Sequence, residues 1–445
     1  MAKFLVDPIH GKSVQQLEGL VRTLIFKPAT ALVGYLLQEA ANKLDSTYQA
    51  KLGETPKGSA SLQVQCLFGS FTLERDYYYH VGKGQGHYPA DAGLGLEGSY
   101  TPALARLICL EGADETGYEK AEEHLLQTGG IGISARQIQR VVQRVGEPAQ
   151  QWQEREGMTG RSDAPVMYVS ADGTGVPMRR EELAGRAGKQ ADGSAKTRQA
   201  YLGCVFTQHK RDEKGCPIRD NAATTYVSSF EGIHDFGPCL RREALRRGMG
   251  DVPQVVVLID GAVGLACMAT ENFKDAVQIV DFFHAMEHAT EVVEAVLGKG
   301  HPESKKRQKH WAKRLLKNGV QGLIDQARKE CHGKPQAHAV EEKLGYFINN
   351  VERMKYGTFR EKGYFIGSGV VEAGCKTVIG SRCKQSGMRW SEQGAENILA
   401  LRCIHASRRT EEFWIERLNP TFDTGEGKRE SSRERPTNFL GNSPD

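Results

Sequence analysis

Apolar residues recur at helical spacing from residue 13 to 53, with Leu17, Leu20, Val21, Leu24, Leu32, Val33, Leu36 and Leu37 marking the faces and Pro28 predicting a break. At 61–80, SLQVQCLFGSFTLERDYYYH, the period drops to two on either side of Gly69-Ser70, which predicts a β-hairpin turning on that pair. Its Tyr77, Tyr78 and Tyr79 fit a strand packed on the N-terminal helices, with a DNA-contacting ribbon as the alternative. Residues 81–98 read as glycine-rich loop. Helical spacing returns from Pro102 to Gly146, and within EKAEEHLLQTGGIGISARQIQRVVQRVG (119–146) one helix ends at a glycine turn and Ser134 caps the next. This is helix-turn-helix grammar. Ile138, Val141, Val142 and Val145 would face the core, leaving Arg136, Gln137, Gln139, Arg140 and Arg144 to contact bases or phosphates. A purely structural helix pair explains the same spacing.

After a polar connection at 147–164 the texture turns to strands. These are predicted at 166–171, 176–179, 199–208 and 224–230, followed by a helix at 236–248, a strand ending at Asp260, and a strand at 276–281 leading into FFHAMEHATEVVEAVL. Neighbouring strands followed by alternating helices and strands is the order of an RNase H-like mixed sheet. The chain is then wholly helical up to Tyr364, and HPESKKRQKHWAKRLLK (301–317) concentrates Lys305, Lys306, Arg307, Lys309, Lys313, Arg314 and Lys317 against a single Glu303. Such a run is either a solvated face or a phosphate contact.

The stretch 363–391, GYFIGSGVVEAGCKTVIGSRCKQSGMRWS, opens on a strand-like piece and turns on Gly367-Ser368-Gly369. It enters a helix that Ser368 would cap, with Glu372 in its first turns and Val370, Val371, Cys375, Val378 and Ile379 as its apolar stripe. Arg382, Lys384, Arg389 and Trp390 follow, basic residues beside an aromatic ring. An amphipathic helix is predicted over 391–418, and the polar, Pro/Gly/Ser-rich remainder predicts disorder.

The expected fold is therefore α/β: an RNase H-like mixed-sheet core with an all-α insertion, preceded by an α+β N-terminal region containing a helix-turn-helix-like unit. The segments are 1–60 (helical), 61–98 (hairpin and loop), 99–150 (helix-turn-helix-like), 160–290 (first part of the core), 291–360 (insertion), 361–418 (second part) and 419–445 (tail). A net charge of +4 excludes a polycation, so any nucleic-acid affinity rests on clustered basic residues. No continuous apolar run approaches the ~20 residues of a membrane span, and no signal peptide is evident. Ten cysteines without a CxxC pair point to a reducing, cytoplasmic compartment, with no disulfide framework and no zinc site.

Three acids carry the candidate chemistry. Asp172 ends an apolar run in VMYVSADGTGV, Asp260 ends another in VVVLIDGAVG, and Glu372 lies on its helix. Carboxylates gathered in this way would hold two Mg²⁺ (or Mn²⁺) ions about 3.5–4 Å apart for phosphoryl transfer. Taken singly, each aspartate is also explained as a turn acid before glycine. Asp281 and His284 form an Asp-x-x-His pair that would sit nearby, either hydrogen bonding within the fold or orienting the site.

The sequence resembles the Kra-type family of bacterial insertion-sequence transposases, within the Mutator-like DDE class, over roughly residues 60–418. The likeness rests above all on GSGVVEAGCKTVIGSRCKQSGMRWSEQGAENILALR, and then on SADGTGV, VVLIDGA, the Asp281-Phe282-Phe283-His284 signature, GSFTLERDYYYH and GIGISARQIQRVVQRVG. The resemblance implies Asp172, Asp260 and Glu372 as a catalytic triad. It also implies cleavage at element ends to expose 3′-hydroxyls, strand transfer into target DNA, terminal inverted repeats as partners, and a nucleoid-associated homo-oligomer. Relatives often carry paired cysteines near the tyrosine-rich hairpin, whereas here that stretch offers His80 and His87 and no cysteine. The competing functions are an actin-like kinase or ATPase, which shares the core, and a catalytically inactive DNA-binding relative.

Overall fold

The computed structural model describes residues 13–156, 159–188, 190, 193–220 and 223–418, so the predicted disordered tail lies outside the described residues. The architecture is mixed α/β. Strands β1 (Glu54–Cys66), β2 (Gly69–His80) and β3 (Gln85–His87) form an antiparallel sheet against the N-terminal helix Val14–Thr47. Downstream, β4 (Val166–Pro177), β5 (Thr197–Gln208), β8 (Thr225–Ser229), β9 (Gln254–Ile259) and β10 (Val277–Val280) build a five-stranded sheet in the order β10-β9-β4-β5-β8. β5 is antiparallel to both its neighbours, and β4, β9 and β10 run parallel. The short strands β6 (Lys210–Arg211) and β7 (Pro217–Ile218) form a separate ribbon.

Both faces of the five-stranded sheet are covered, which is why Val166–Ala171 is continuously buried rather than alternating. The two faces separate cleanly at β5, because successive residues point to opposite sides. On one face Gly203 lies beneath the helix Ile233–Arg246, so close that a Cβ would meet Leu240 at 2.6 Å. On the other face Leu202 and Tyr226 lie against Gly374 of the Glu372 helix, where a Cβ would approach them within 2.9 and 2.7 Å. Helices Phe282–Leu297, Ser304–Leu315, Val320–Cys331 and Ala337–Asn350 follow the sheet and share its core through Trp311, Leu315, Leu323, Ile324 and Phe347. A second core joins Ile138, Val141, Val142, Val145 and Trp152 of the helix Ala135–Glu154 to the closing helix Glu392–Ala406.

Several local expectations are corrected. The N-terminal helix runs unbroken through Pro28, because contacts on either side of it, Phe26 with Phe68 and Thr30 with Gly69, hold the helix despite the loss of one backbone hydrogen bond. That helix is also long and apolar enough, by length and composition, to cross a membrane, although no uninterrupted apolar run reveals it. The hairpin turns on Leu67-Phe68, since Cys66 pairs with Gly69. Gly69 is small for another reason: a Cβ there would meet Thr30 Oγ1 at 2.8 Å. The glycine-rich loop after the hairpin contains β3. The strands expected at 166–171 and 176–179 are one, β4, so Asp172 lies within a strand and not at its end. No strand forms at 364–368; the backbone there is held by Tyr168 Oη, which accepts from Phe365 N at 3.2 Å, and by Ile366 O, which accepts from Phe282 N at 2.8 Å. The single helix expected over 391–418 is two, Glu392–Ala406 and Thr410–Leu418, parted at Arg408 with φ of 58°. The first is buried on nearly all sides, so it shows no polar face.

Two stability predictions follow from this packing. Gly374→Ala is expected to lower unfolding free energy by about 1–3 kcal/mol, read by denaturant titration, because the new methyl has no room against Leu202 and Tyr226. Glu396 on the closing helix is half-buried; burial first, and then the charges of Glu392 and Glu231, raise its carboxyl from 4.5 to about 7. The folded chain thus keeps this proton after the unfolded chain has lost it, so the group's contribution to stability falls as pH rises from 4.5 to about 7 and stays low above that. Glu396→Gln is expected to raise Tm at pH 8 and leave it unchanged at pH 4 in scanning calorimetry.

Candidate functional site

Strand register brings the first acids together. β4 and β9 are paired from Val166 opposite Gln254 to Ser170 opposite Leu258, and carrying that register two residues further sets Asp172 level with Asp260. β10 and β9 are paired up to Val280 opposite Ile259, so Asp281 is level with Asp260 as well. Residues at one level on adjacent parallel strands share a face and lie about 4.8 Å apart across the sheet.

Each acid is held differently. Asp172 Oδ1 accepts from Gly173 N at 2.7 Å, and the Cys375 thiol donates to the same carboxylate. Burial raises its pKa above the usual range; the Gly173 and Cys375 hydrogen bonds oppose this, the Asp260 charge adds to it, and His284 opposes it. Asp260 Oδ1 accepts from Ala262 N at 2.7 Å, and its carbonyl accepts from Tyr346 Oη at 2.7 Å. Gly261 follows with φ of 88°, a left-handed turn pressed against the Tyr346 ring. Here the Asp-Gly pair is a true turn, whereas Asp172-Gly173 sits inside β4. Asp281 is fully buried and caps the next helix, its Oδ1 accepting from His284 N at 2.7 Å.

The Glu372 helix starts at Gly369–Gly374, widens into a π-turn at Cys375–Gly380 and ends at Ser381–Cys383. Ser368 makes no side-chain cap, contrary to the sequence expectation. Its backbone N–H donates to Asp281 Oδ2 and its hydroxyl donates to Glu372 Oε1 at 2.9 Å, so one residue ties the two acids together. Asp281, His284 and Glu372 each offer a ligand atom within 4.8 Å of the others, and His284 Nδ1 lies 3.3 Å from Asp281 Oδ1. Asp172, Asp260 and Glu372 do not by themselves form one such close group. His284 is close to Glu372 and is also felt electrostatically by Asp172. The π-turn leaves carbonyls open, and buried Arg402 fills them by donating to Val378 O and Thr377 O.

The predicted DNA-contacting residues divide. Arg136 and Arg140 are exposed on the helix Ala135–Glu154. Gln137 is committed to a capping box, its Oε1 accepting from Ser134 N at 3.0 Å. Lys305, Lys309 and Lys313 are exposed, Lys306 pairs with Glu303 at 3.5 Å, and Arg307 pairs with Glu330 at 2.6 Å. Among the described residues, no hydrogen bond or ion pair joins this basic helix to the acids. Lys384 donates to Thr174 Oγ1 on β4, and Arg389 is exposed. Arg382 and Trp390 are corrected to structural roles. Arg382 is 1% exposed, lies over the Tyr118 and Trp390 rings and donates to Gly112 O at 3.3 Å. Trp390 is buried and donates from Nε1 to Cys383 O at 3.1 Å.

No family model matches the chain, and no curated protein matches it. Among solved structures, the Drosophila P element transposase strand transfer complex is similar at 13% identity and a TM-score of 0.26, over 70% of this chain and 80% of that one. A likeness of that size establishes neither a family nor an activity for this chain.

Arg382→Ala is expected to destabilise the fold by about 3 kcal/mol or more, seen as a lower denaturant midpoint, because it empties a buried cation site between two rings. Arg389→Ala, at an exposed position, is expected to stay within about 0.5 kcal/mol of the parent in the same titration.

Proposed function

We propose that this chain is a metal-dependent phosphoryl transferase that cleaves and joins double-stranded DNA as a DDE transposase. The observation that carries this reading is Asp172 on β4 and Asp260 just past the end of β9, set level by extending the register of these adjacent parallel strands, with the Glu372 helix docked beside them through Cys375 and Lys384. The sheet order supports an RNase H-like core: three antiparallel strands in sequence, then two strands added parallel to the first on its free side. The motif resemblance over GSGVVEAGCKTVIGSRCKQSGMRWS supports the same assignment.

The donor set fits divalent cations that prefer oxygen. Asp172, Asp260 and Glu372 supply carboxylates for Mg²⁺ or Mn²⁺, and the added imidazole of His284 is more compatible with Mn²⁺. Bound there, two such ions would activate the attacking oxygen and steady the leaving one. The chain's own residues do the rest. Asp281 fixes the His284 ring, Ser368 sets the Glu372 carboxylate, and Tyr346 holds the Asp260 turn. Lys384 beside Thr174, with Arg179 and Arg389 further along near Gln139 and Gln143, gives a basic, polar path for a phosphate backbone.

The test uses purified protein, Mg²⁺ or Mn²⁺, and labelled duplex carrying the element's terminal repeats. Nicking that exposes a 3′-hydroxyl is expected, and is expected to vanish in Asp172→Asn, Asp260→Asn and Glu372→Gln while DNA binding persists. Ser368→Ala is expected to reduce the rate about 10–100-fold, as loss of a ligand-orienting hydrogen bond does. ATP turnover without nicking would favour the actin-like reading, and binding without cleavage an inactive relative.

A further inference from the structure

The N-terminal helix Val14–Thr47 leaves its outer face uncovered. Ile25, Leu32 and Leu36 are 59, 58 and 56% exposed, and Val21, Leu24 and Tyr35 beside them are also exposed. The inner face is already occupied: Phe26 packs edge-on against Phe68, and Gly34 touches the Phe71 ring. The uncovered face is therefore not an edge of the core, and it exposes more apolar side chain than an isolated helix face retains without a partner.

Its spacing identifies the partner. Glu18, Arg22, Ile25, Ala29, Leu32, Leu36, Glu39 and Lys43 alternate at intervals of four and three, the seam of a helix that pairs with another helix. The middle four positions are apolar and the outer four are charged in the order acidic, basic, acidic, basic. Laid against a second copy running the opposite way, Ile25 meets Leu36 and Ala29 meets Leu32. In the same register Glu18 meets Lys43 at both ends, while Arg22 turns inward, its guanidinium over the Phe26 ring and against Gly130. Shifting to place Ile25 on Leu32 sets Glu18 against Glu39, and a parallel pairing stacks every charge on its like. One register therefore satisfies the apolar centre and pairs Glu18 with Lys43, whereas the shifted register opposes two glutamates.

We infer that this face is a two-fold, antiparallel helix-to-helix interface between two copies of this chain. The paired segment spans about 39 Å at 1.5 Å per residue. A two-fold contact of this kind uses the same surface on both subunits, as the self-complementary charge order requires. It is independent of the proposed phosphoryl-transfer site, since none of its residues approaches the acids through any recorded hydrogen bond or ion pair among the described residues.

Sedimentation equilibrium of the full chain tests this. A species of twice 49.1 kDa is expected. Leu32→Lys is expected to leave a monomer with an unchanged circular-dichroism spectrum, because its side chain is exposed and does not support the core. Glu18→Lys is expected to weaken association about tenfold, and adding Lys43→Glu to it is expected to restore the parent affinity. A monomer at all concentrations, or a dimer indifferent to Leu32→Lys, would overturn the interface. Failure of the charge-reversed pair to restore association would overturn the antiparallel register. Binding of the monomer to phosphatidylglycerol vesicles, lost in Leu32→Lys, would show instead that a lipid surface covers this face.

Discussion

The candidate site depends on the register of two parallel strand pairs. Because side chains alternate along a strand, a slip of one residue between β4 and β9 would turn Asp172 to the opposite face from Asp260. The register is fixed by burial: Tyr168, Val169 and Ala171 on β4 and Val256 to Ile259 on β9 are all buried, so any slip would drive polar groups into the core. The same constraint passes to β10, where Ile279 and Val280 are buried and Asp281 N donates to Ile259 O at 2.7 Å. The acids are thus positioned by the apolar residues preceding them.

The fourth acid reaches this row through close approach of a helix to the sheet. Gly374 lets the Glu372 helix lie on Leu202 and Tyr226, which brings Cys375 to Asp172. The helix is then held from behind. Arg402 satisfies its π-turn, and Arg382 lies between Tyr118 and Trp390. These two arginines join the helix to Gly112 and Ala113, so the N-terminal helical region and the acid-bearing helix share one core. Basic charge near the candidate site has here been used for packing, with Lys384 and Arg389 left to meet solvent.

What was legible in the sequence was what periodicity encodes. The buried faces at Ile138, Val141, Val142 and Val145, and at Val371, Cys375, Val378 and Ile379, follow from spacing alone. The acids at strand level were legible because each closes an apolar run. Partner choice was not. Arg382 and Trp390 look like a nucleic-acid patch in one dimension, and only the fold shows Tyr118, more than 260 residues earlier, beneath the guanidinium. Ser368 was visible as a residue before a helix, but its hydroxyl turns to Glu372 because its backbone is already committed to Asp281. The glycines misled for a related reason. Gly69 and Gly173 read as turns, yet both are small because a neighbouring element crowds them, Thr30 in one case and Gln199 in the other.

The hydrogen bonds also separate the acids by role. Asp281 receives a backbone N–H on each oxygen, from His284 and from Ser368, and has no exposed surface. Its remaining contact, to His284 Nδ1, orients the imidazole. Asp260 spends one oxygen on Ala262 N, and Glu372 spends one on the Ser368 hydroxyl. Asp172 is the most conditional of the set. Burial and the Asp260 charge work against its ionised form, and a cation between the two aspartates would reverse both effects at once.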